Sequence, residues 1–455
     1  MRNRSVLLFL LLFPIIGVSW SEFRFSFSPV LSVNNMPILV DYNKATMREF
    51  ERYLSMPPFA EFSIEMSLPK CELVLRFDFR QVPSTFLKTG GKSNLPYTEG
   101  YILPTIDLNF PRVGFLEMNE DVLSFSLGRR KIAYGSSFYS FILSESFPYF
   151  DHLWINLTTG SVLGDLSYGF YAITSDRSIY NVPRTLIGHT IQILNENVLI
   201  SVLEQNLVHG AYPDLEDLAP FILHHNTYQI GSNIMGAVRM EMSIGNVLGY
   251  GEFALDDLIT GVESNSTESN PNAFGWLVGG VISLLEGNEF LGPRMMEADY
   301  SVRKSSLLRG GGLKLRFEYY HSTTYMYNRK EKEGRFVNPL WIEELGVVNG
   351  FFGFPYGPDA TLGLVGAEYE NSIMKLDVMM ECLRKGTIDI DSEYAFPYNE
   401  NWYGLVMPIS HEFVISAQAR YLVNPKLVLL ARAKIHLRES VKYDLSVGFS
   451  TSIDF

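Results

Sequence analysis

Apolar and polar residues alternate with a period of two along most of this chain, and the last segment shows the pattern most clearly. Odd positions from Val441 to Phe455 are apolar or aromatic apart from one threonine, whereas even positions from Lys442 to Asp454 are charged, polar or glycine. Successive side chains of a β-strand point to opposite faces, so the alternation predicts a strand with one apolar and one polar face. An apolar face of this kind can line the core of a soluble sandwich or meet the lipid around a barrel.

The same asymmetry recurs in segments that begin at Ile234, Leu313, Phe413 and Leu427. These segments run for about ten residues, the length of a tilted membrane strand rather than of a typical sandwich strand. The chain also ends on an aromatic residue inside its final strand, which resembles the C-terminal signal read by bacterial barrel-assembly machinery. The pattern therefore predicts a transmembrane antiparallel barrel. The residues expected to carry the assembly signal are Tyr443, Leu445, Val447, Phe449, Ile453 and Phe455.

Short and long connections between the predicted strands alternate, as in bacterial barrels with short periplasmic turns and long outer loops. The stretch 322–360 is too long for one turn, so we expect an additional strand near 336–347. The sequence thus predicts an all-β barrel of about 18 strands, an even number between roughly 16 and 20, with both termini in the periplasm. The final strand should close on a first strand that contains Phe23, Phe25 and Phe27. Long outer loops are expected near 81–100, 130–150, 174–185, 206–230, 259–272 and 384–410.

Two segments do not follow the strand pattern. Residues 41–56 carry Met47, Phe50 and Leu54 at helical spacing and precede two prolines, which predicts a short helix. Residues 1–21 begin with two arginines, continue with an apolar run too short to span a bilayer well, and end on small residues around Ser21. This is the pattern of a secretion signal cleaved at Ser21, which leaves 22–455 as the barrel domain.

The composition agrees with a secreted barrel, since aromatic residues make up 14% of the chain and charged residues only 19%. The formal net charge of −13 becomes −15 without the signal segment, and an acidic chain is a poor partner for nucleic acid. Cys71 and Cys382 share the parity of apolar neighbours, so they are expected to be free thiols that face lipid. Membrane lipid and the assembly machinery are the expected partners of a protein that we expect to be monomeric.

No residue pattern predicts catalysis or a cofactor. The chain has no metal-type spacing of cysteine and histidine, no Gly-x-Ser-x-Gly elbow and no glycine-rich phosphate loop. The adjacent pair His224 and His225 is poorly placed to bind one metal ion together. We therefore expect a protein that is not an enzyme.

The polar faces of the predicted strands supply candidate lumen residues. Charges of both signs can form ion pairs that fill part of the bore, or they can tune a pore. Another acidic cluster, Glu252, Asp256 and Asp257, lies near the outer end of a predicted strand. It could bind a cation or sugar hydroxyls, although a solvated rim is the simpler interpretation. The residues expected to face the lumen are Arg239, Glu241, Lys314, Arg316, Glu318, Arg420, Arg432 and Lys434.

Several segments resemble the Wzi capsule-assembly family of outer-membrane proteins. They are Ser126–Gly135 (SLGRRKIAYG) with 142–150 (ILSESFPYF), Leu186–His189 with the strand pair up to Val208, 236–258 ending in YGEFALDD, and 313–323. Together they cover under half of the chain, and Ala133-Tyr134 stands where the family has a tryptophan-rich stretch. The resemblance implies a barrel of about eighteen strands that binds surface polysaccharide in its outer loops without catalysis.

Two functions follow as expectations. The first is a non-enzymatic surface barrel that binds or retains extracellular polysaccharide, as the resemblance implies. The alternative is a porin or substrate channel for small solutes, because long outer loops and a lumen of mixed charge are typical of channels.

Overall fold

The computed structural model describes most of the chain beyond the predicted signal segment. Residues 1–21, most of 41–56, the pair His224 and His225, and Phe455 lie outside the described residues. The described residues are 22–35, 53, 56–88, 92–96, 106–107, 113–145, 147–162, 164–175, 182–219, 231–258, 270–292, 302–304, 307, 310–342, 346–394, 398, 401–438 and 441–454.

Eighteen antiparallel strands form a closed barrel, which confirms the predicted fold class and an even number of strands. In chain order the barrel strands are β1 (Glu22–Asn34), β2 (Ala60–Leu68), β3 (Cys71–Gln81), β5 (Val113–Asn119), β6 (Leu123–Arg130), β8 (Phe150–Ser161), β9 (Gly164–Thr174), β10 (Arg184–Leu194), β11 (Val198–His209), β12 (Ser232–Ile244), β13 (Val247–Asp257), β14 (Ala273–Gly287), β16 (Gly311–Ser322), β19 (Ala360–Glu370), β20 (Met374–Lys385), β21 (Ser410–Asn424), β22 (Leu427–Leu437) and β23 (Val441–Asp454).

Short elements lie in the connections between these strands. They are β4 (Ile106–Asp107), β7 (Ile132–Tyr134), β15 (Val302–Lys304), β17 (Val337–Ile342), β18 (Gly346–Phe351), the helix α1 (Pro83–Lys88) and a 3-10 turn (Lys332–Gly334). Within the described part of the chain, β4 pairs with the last residues of β3 alone, and we do not count it as a barrel strand. The helix expected at 41–56 falls largely outside the described residues.

The barrel closes between its last and first strands, as the alternation of phenylalanine in β1 predicts. β23 pairs with β1 in an antiparallel register that runs from Arg24 opposite Asp454 to Asn34 opposite Asp444. Arg24 Nε donates to Asp454 Oδ1 over 2.6 Å at one end of this seam. Ring closure leaves no free strand edge, so the backbone groups of both strands are satisfied without water.

The outer face of the barrel is apolar. On β23, Val441, Tyr443, Leu445, Val447, Phe449 and Ile453 are exposed, whereas the inward-facing Ser446, Ser450 and Ser452 are buried. A soluble protein rarely exposes a continuous apolar surface of this size, while a membrane barrel needs one against lipid. The outer wall is therefore that of a transmembrane barrel. Cys71 and Cys382 are both free, and they lie in register with the outward-facing residues of β3 and β20.

Most long connections lie at one end of the barrel and most short turns at the other, and the three-residue connection 438–440 is a short one at the long-loop end. The expected barrel strand near 336–347 is wrong, because β17 and β18 pair with each other as a separate hairpin inside the connection 323–359. The strand parity is preserved because 323–359 is a single long-end connection. One connection at the short-turn end, 288–310, is itself long. Both described termini, Glu22 and Asp454, lie at the short-turn end.

The apolar outer face can be tested on one strand. Val447 lies midway along β23 with its side chain exposed on the outer face. We expect Val447→Arg to lower the free energy of unfolding by about 2–4 kcal/mol in lipid vesicles, since an arginine near the bilayer midplane is costly. Val162→Arg, in the fully exposed turn after β8, is the matched control and should change little. Urea titrations followed by fluorescence measure both, and equal stabilities would contradict the assignment of this face to lipid.

Candidate functional site: the barrel lumen

The long-end connection 131–149, which we call the inner loop, folds into the barrel instead of extending away from it. Its β7 strand and the segment Phe141–Leu143 are buried. They pack in one hydrophobic cluster with inward-facing residues of neighbouring strands, such as Trp154 and Tyr171, whose rings stack with centroids 4.9 Å apart. One side of the barrel interior is thus a packed core.

Three glutamates on the barrel wall hold the inner loop by its backbone. Glu241 on β12 accepts a hydrogen bond from Ser136 N (2.8 Å), and Glu252 on β13 accepts one from Phe141 N (2.6 Å). Glu318 on β16 accepts one from Phe138 N (2.9 Å). Hydrogen bonds from N–H groups to a carboxylate are among the stronger ones in a protein, and here they replace bonds that water cannot supply.

A buried arginine joins two of these glutamates. Arg239 Nε donates to Glu241 (3.0 Å) and its NH1 group donates to Glu252 (2.7 Å), with all three side chains fully buried. Arg316 plays a similar part next to Glu318 at 2.7 Å, and it also donates to the Ser136 carbonyl at 2.7 Å. The ion pairs therefore stabilise both the charges on the wall and the loop above them.

Gly135 is required where the inner loop passes over this arginine. Its φ of +78° lies in the left-handed region, and a Cβ atom there would come within 1.7 Å of the Arg239 guanidinium carbon. Only glycine combines this backbone conformation with so close an approach.

The outer connection 323–359 covers the inner loop from the long-loop end. Ser144 N donates to the Phe352 carbonyl (2.9 Å), and the Tyr327 hydroxyl donates to the Phe141 carbonyl (2.9 Å). Burial raises the pKa of the Tyr327 phenol well above its ordinary value, so the hydroxyl stays protonated and remains a donor. The two connections form one packed unit.

The acidic cluster at the end of β13 is not a solvated rim. Glu252 and Asp256 are buried, Glu252 in the ion pair with Arg239. Asp256 accepts a hydrogen bond from Tyr327 N (2.7 Å), and Arg329 pairs with both Asp256 and Asp257. Asp256 and Asp257 thus attach the outer connection to the barrel, and Glu252 attaches the inner loop. A buried carboxylate must be paired or hydrogen-bonded in this way.

A connection from the opposite end also enters the barrel. Within 288–310, the short strand β15 pairs in parallel with β7 of the inner loop, and Leu307 N donates to Glu241 over 2.9 Å. Phe290 packs near Val30 and Val428 on the far wall, and its N–H donates to Glu370 over 2.8 Å. Segments from both ends of the barrel therefore meet in the interior. Next to Leu307, two adjoining cavities of about 470 and 610 Å³ open at the short-turn end.

The inner wall of β19–β23 is less covered than the rest. Gln418 on β21 lies between Asp377 on β20 and Arg432 on β22 in one row across the sheet, and all three are partly exposed. Ser416 and Lys434 form the next row and are also partly exposed. We call this group of five residues the open strip. It carries charges of both signs, and all of its side chains keep exposed surface on the inner wall.

The eight predicted lumen residues all lie on inward-facing positions of their strands, but they divide into two groups. Arg239, Glu241, Lys314, Arg316, Glu318 and Arg420 are buried, whereas Arg432 and Lys434 are partly exposed. Only the last two belong to the open strip.

The described residues contain no group of three or more histidine, cysteine or acidic side chains placed to hold a metal ion. In the same part of the chain, no helix is long and apolar enough to cross a membrane.

No protein-family model matches the chain, and no curated protein matches it. Among solved structures it resembles Pseudomonas aeruginosa OccK11 (OpdR), with 9% identity, a TM-score of 0.44 and coverage of 95% of this chain and 96% of that one. The outer membrane protein OprD from Pseudomonas aeruginosa shares 8% identity with a TM-score of 0.42, over 95% of this chain and 93% of that one. Acinetobacter baumannii OccAB3 shares 7% identity with a TM-score of 0.43, over 95% of this chain and 99% of that one. Likeness at this level concerns the barrel architecture alone.

The expected resemblance to the Wzi family is wrong. No family model supports it, and the matching structures named above are OprD and Occ porins. The segments that carried the resemblance have another place in the fold: 126–135 and 142–150 build the end of β6 and the inner loop, and 250–257 belongs to β13, which binds that loop. Their residues serve the barrel interior, and binding of capsule polysaccharide has no support.

The buried ion pairs can be tested by removing the shared cation. Arg239→Met leaves Glu241 and Glu252 buried without their guanidinium, and we expect it to lower the free energy of unfolding by about 3–5 kcal/mol. The inner loop should also become cleavable by protease. Arg384→Met, at an exposed position near the end of β20, is the control.

A double variant separates lost charge balance from lost packing. Adding Glu252→Gln to Arg239→Met should restore part of the stability, because one uncompensated buried charge is then removed. Equal unfolding of Arg239→Met and Arg384→Met in urea would contradict the account.

Proposed function

We propose that this protein is an outer-membrane channel for small polar solutes, and that its pathway follows the open strip. The observation that carries the proposal is the unequal burial of the inner wall. Inward-facing residues of β11–β13, such as Ser201, Arg239 and Glu252, are buried, whereas Gln418, Arg432 and Lys434 on β21 and β22 keep exposed surface. A barrel of roughly 16–18 strands is wide enough for an aqueous channel unless its interior is filled, and here the inner wall of β20–β22 keeps exposed polar side chains.

The chemistry of the open strip supports polar solutes. Asp377 lies two strands away from Arg432 in the same row, with the neutral Gln418 between them. Neighbouring strands are about 4.8 Å apart, so a carboxylate and a guanidinium line the path about 10 Å from each other at the backbone. A solute that carries both donors and acceptors finds partners on both sides, and an apolar solute would leave these groups unpaired.

The inner loop sets the width of the path. It is fixed by Glu241, Glu252 and Glu318 to one wall, and Tyr139 at its tip reaches toward β20, where its hydroxyl donates to Glu381 (3.0 Å). This contact bounds the open strip at one level of the barrel. The channel is proposed to act without a cofactor and without catalysis, with the short-turn end and both termini in the periplasm.

A matched pair of bulky substitutions tests the pathway. Gln418 faces the lumen and Ala417, its neighbour on β21, faces outward. We expect Gln418→Trp to lower the single-channel conductance severalfold in planar bilayers, because an indole there fills part of the proposed path. Ala417→Trp adds the same side chain on the lipid side and should leave the conductance unchanged.

Two results would count against the channel. One is the absence of any conductance in parent protein that shows the heat-modifiable migration of a folded barrel. The other is an equal conductance for the parent and Gln418→Trp, which would place the pathway elsewhere.

A further inference from the structure

Polar side chains lie side by side on the outer face of the barrel, where a lipid-facing wall should be apolar. We call Tyr168 on β9, His189 on β10, and Glu204 and Asn206 on β11 the wall patch. The Tyr168 hydroxyl and His189 Nδ1 are 2.5 Å apart, and His189 lies opposite Glu204 across the strand pair. Their strand neighbours face the interior, since Tyr171 donates to Gln205 inside the barrel. Alternation therefore directs the wall patch outward.

The wall patch lies at the height of the membrane-facing band. His189 is midway along β10, and the next outward residue toward the short-turn end, Ile191, is 45% exposed. Val202, the outward neighbour of Glu204, is 50% exposed. A tilted strand of about 11 residues spans roughly the thickness of a bilayer core. Polar groups in the middle of such a strand therefore need hydrogen-bond partners from the protein, because the bilayer core contains no water.

A segment of the connection after β11 folds back over this patch. We call residues 210–219 the covering segment. The Asp217 carbonyl lies 3.3 Å from His189 Nε2, and Asn206 Nδ2 donates to Asp217 Oδ1 over 3.4 Å. As a result His189 is only 6% exposed and Asn206 only 2%, although both face outward. The covering segment supplies polar partners on the outer wall.

Three large apolar side chains of the covering segment point away from the protein. Tyr212, Leu215 and Leu218 are 66%, 86% and 41% exposed. The turn between them satisfies its own backbone, because the Asp214 carboxylate accepts hydrogen bonds from the N–H groups of Glu216 (2.8 Å) and Asp217 (3.1 Å). A solvated loop seldom exposes three large apolar side chains within seven residues; the carboxylates of Asp214 and Glu216 between them are exposed as well, and only Asp217 is buried against the wall.

We propose that the covering segment is embedded in the membrane, with Tyr212, Leu215 and Leu218 among the acyl chains of the leaflet at the long-loop end. Its exposed apolar side chains continue the lipid-facing surface formed by Ile191 and Val202, which argues for lipid as the occupant. The segment replaces polar wall by apolar surface over β9–β11. This inference rests on the transmembrane barrel and does not require the lumen to conduct.

Spin labels on the covering segment test the proposal. The two free cysteines are first replaced by alanine, and single cysteines are then introduced by Leu215→Cys and Leu218→Cys and labelled with a nitroxide. Val238→Cys, on the exposed outer face of β12, provides the lipid reference, and Val162→Cys, in a short turn, provides the aqueous reference. Collisions with oxygen, which concentrates in lipid, are compared with collisions with a water-soluble nickel chelate, in folded protein in phospholipid vesicles.

The labels at Leu215 and Leu218 should show the high oxygen and low nickel accessibility of the Val238 reference. Nickel accessibility equal to that of the Val162 reference would overturn the proposal, because the segment would then lie in water. Low accessibility to both reagents would overturn it as well, since the segment would then be covered by protein.

Discussion

Backbone N–H groups of the inner loop need acceptors inside a barrel from which most water is excluded, and three glutamates supply them. Glu241, Glu252 and Glu318 lie on β12, β13 and β16, and each accepts a hydrogen bond from the loop. Their own charge is balanced by Arg239 and Arg316. This arrangement decides which side of the barrel is filled. Without these glutamates, the backbone N–H groups of the inner loop would have no acceptors inside the barrel, and the loop would be more stable at the surface.

The unfilled side follows from the same arrangement. The inner loop and the outer connection 323–359 pack mainly against β8–β16, and the lower connection 288–310 contacts both β7 of the inner loop and, through Phe290, the wall of β1, β19 and β22. Part of the wall of β19–β23 stays accessible. The proposed path is therefore off-centre rather than a central pore. Polar groups on the outer wall also need hydrogen-bond partners. Where β10 and β11 direct such groups outward, residues 210–219 cover them and supply partners.

Much of the barrel could be predicted because alternation is a local signal that each strand carries by itself. The closure of β23 on β1 and the apolar outer face of β23 follow directly from it.

The interior could not be predicted in the same way. Residues 131–149 contain only two charged residues, Lys131 and Glu145, which in retrospect distinguishes them from a solvated loop. Position in sequence does not show that Glu252 and Asp256 meet loop segments far along the chain, so the sequence alone favours a rim. Local alternation also cannot tell a barrel strand from a strand in a loop hairpin. For this reason the sequence placed a barrel strand where β17 and β18 pair with each other. The family resemblance failed because short motifs at strand ends recur in barrels with different interiors.

The most direct test of the central claim is the chemical accessibility of the two sides of the lumen in a conducting bilayer. Ser416 lies on the open strip of β21, and Ser201 lies on the inner face of β11, where it is fully buried. With both native cysteines replaced by alanine, a charged thiol reagent should reduce the current through Ser416→Cys and leave the current through Ser201→Cys unchanged. A block at Ser201→Cys without one at Ser416→Cys would show that the open path runs along the other wall.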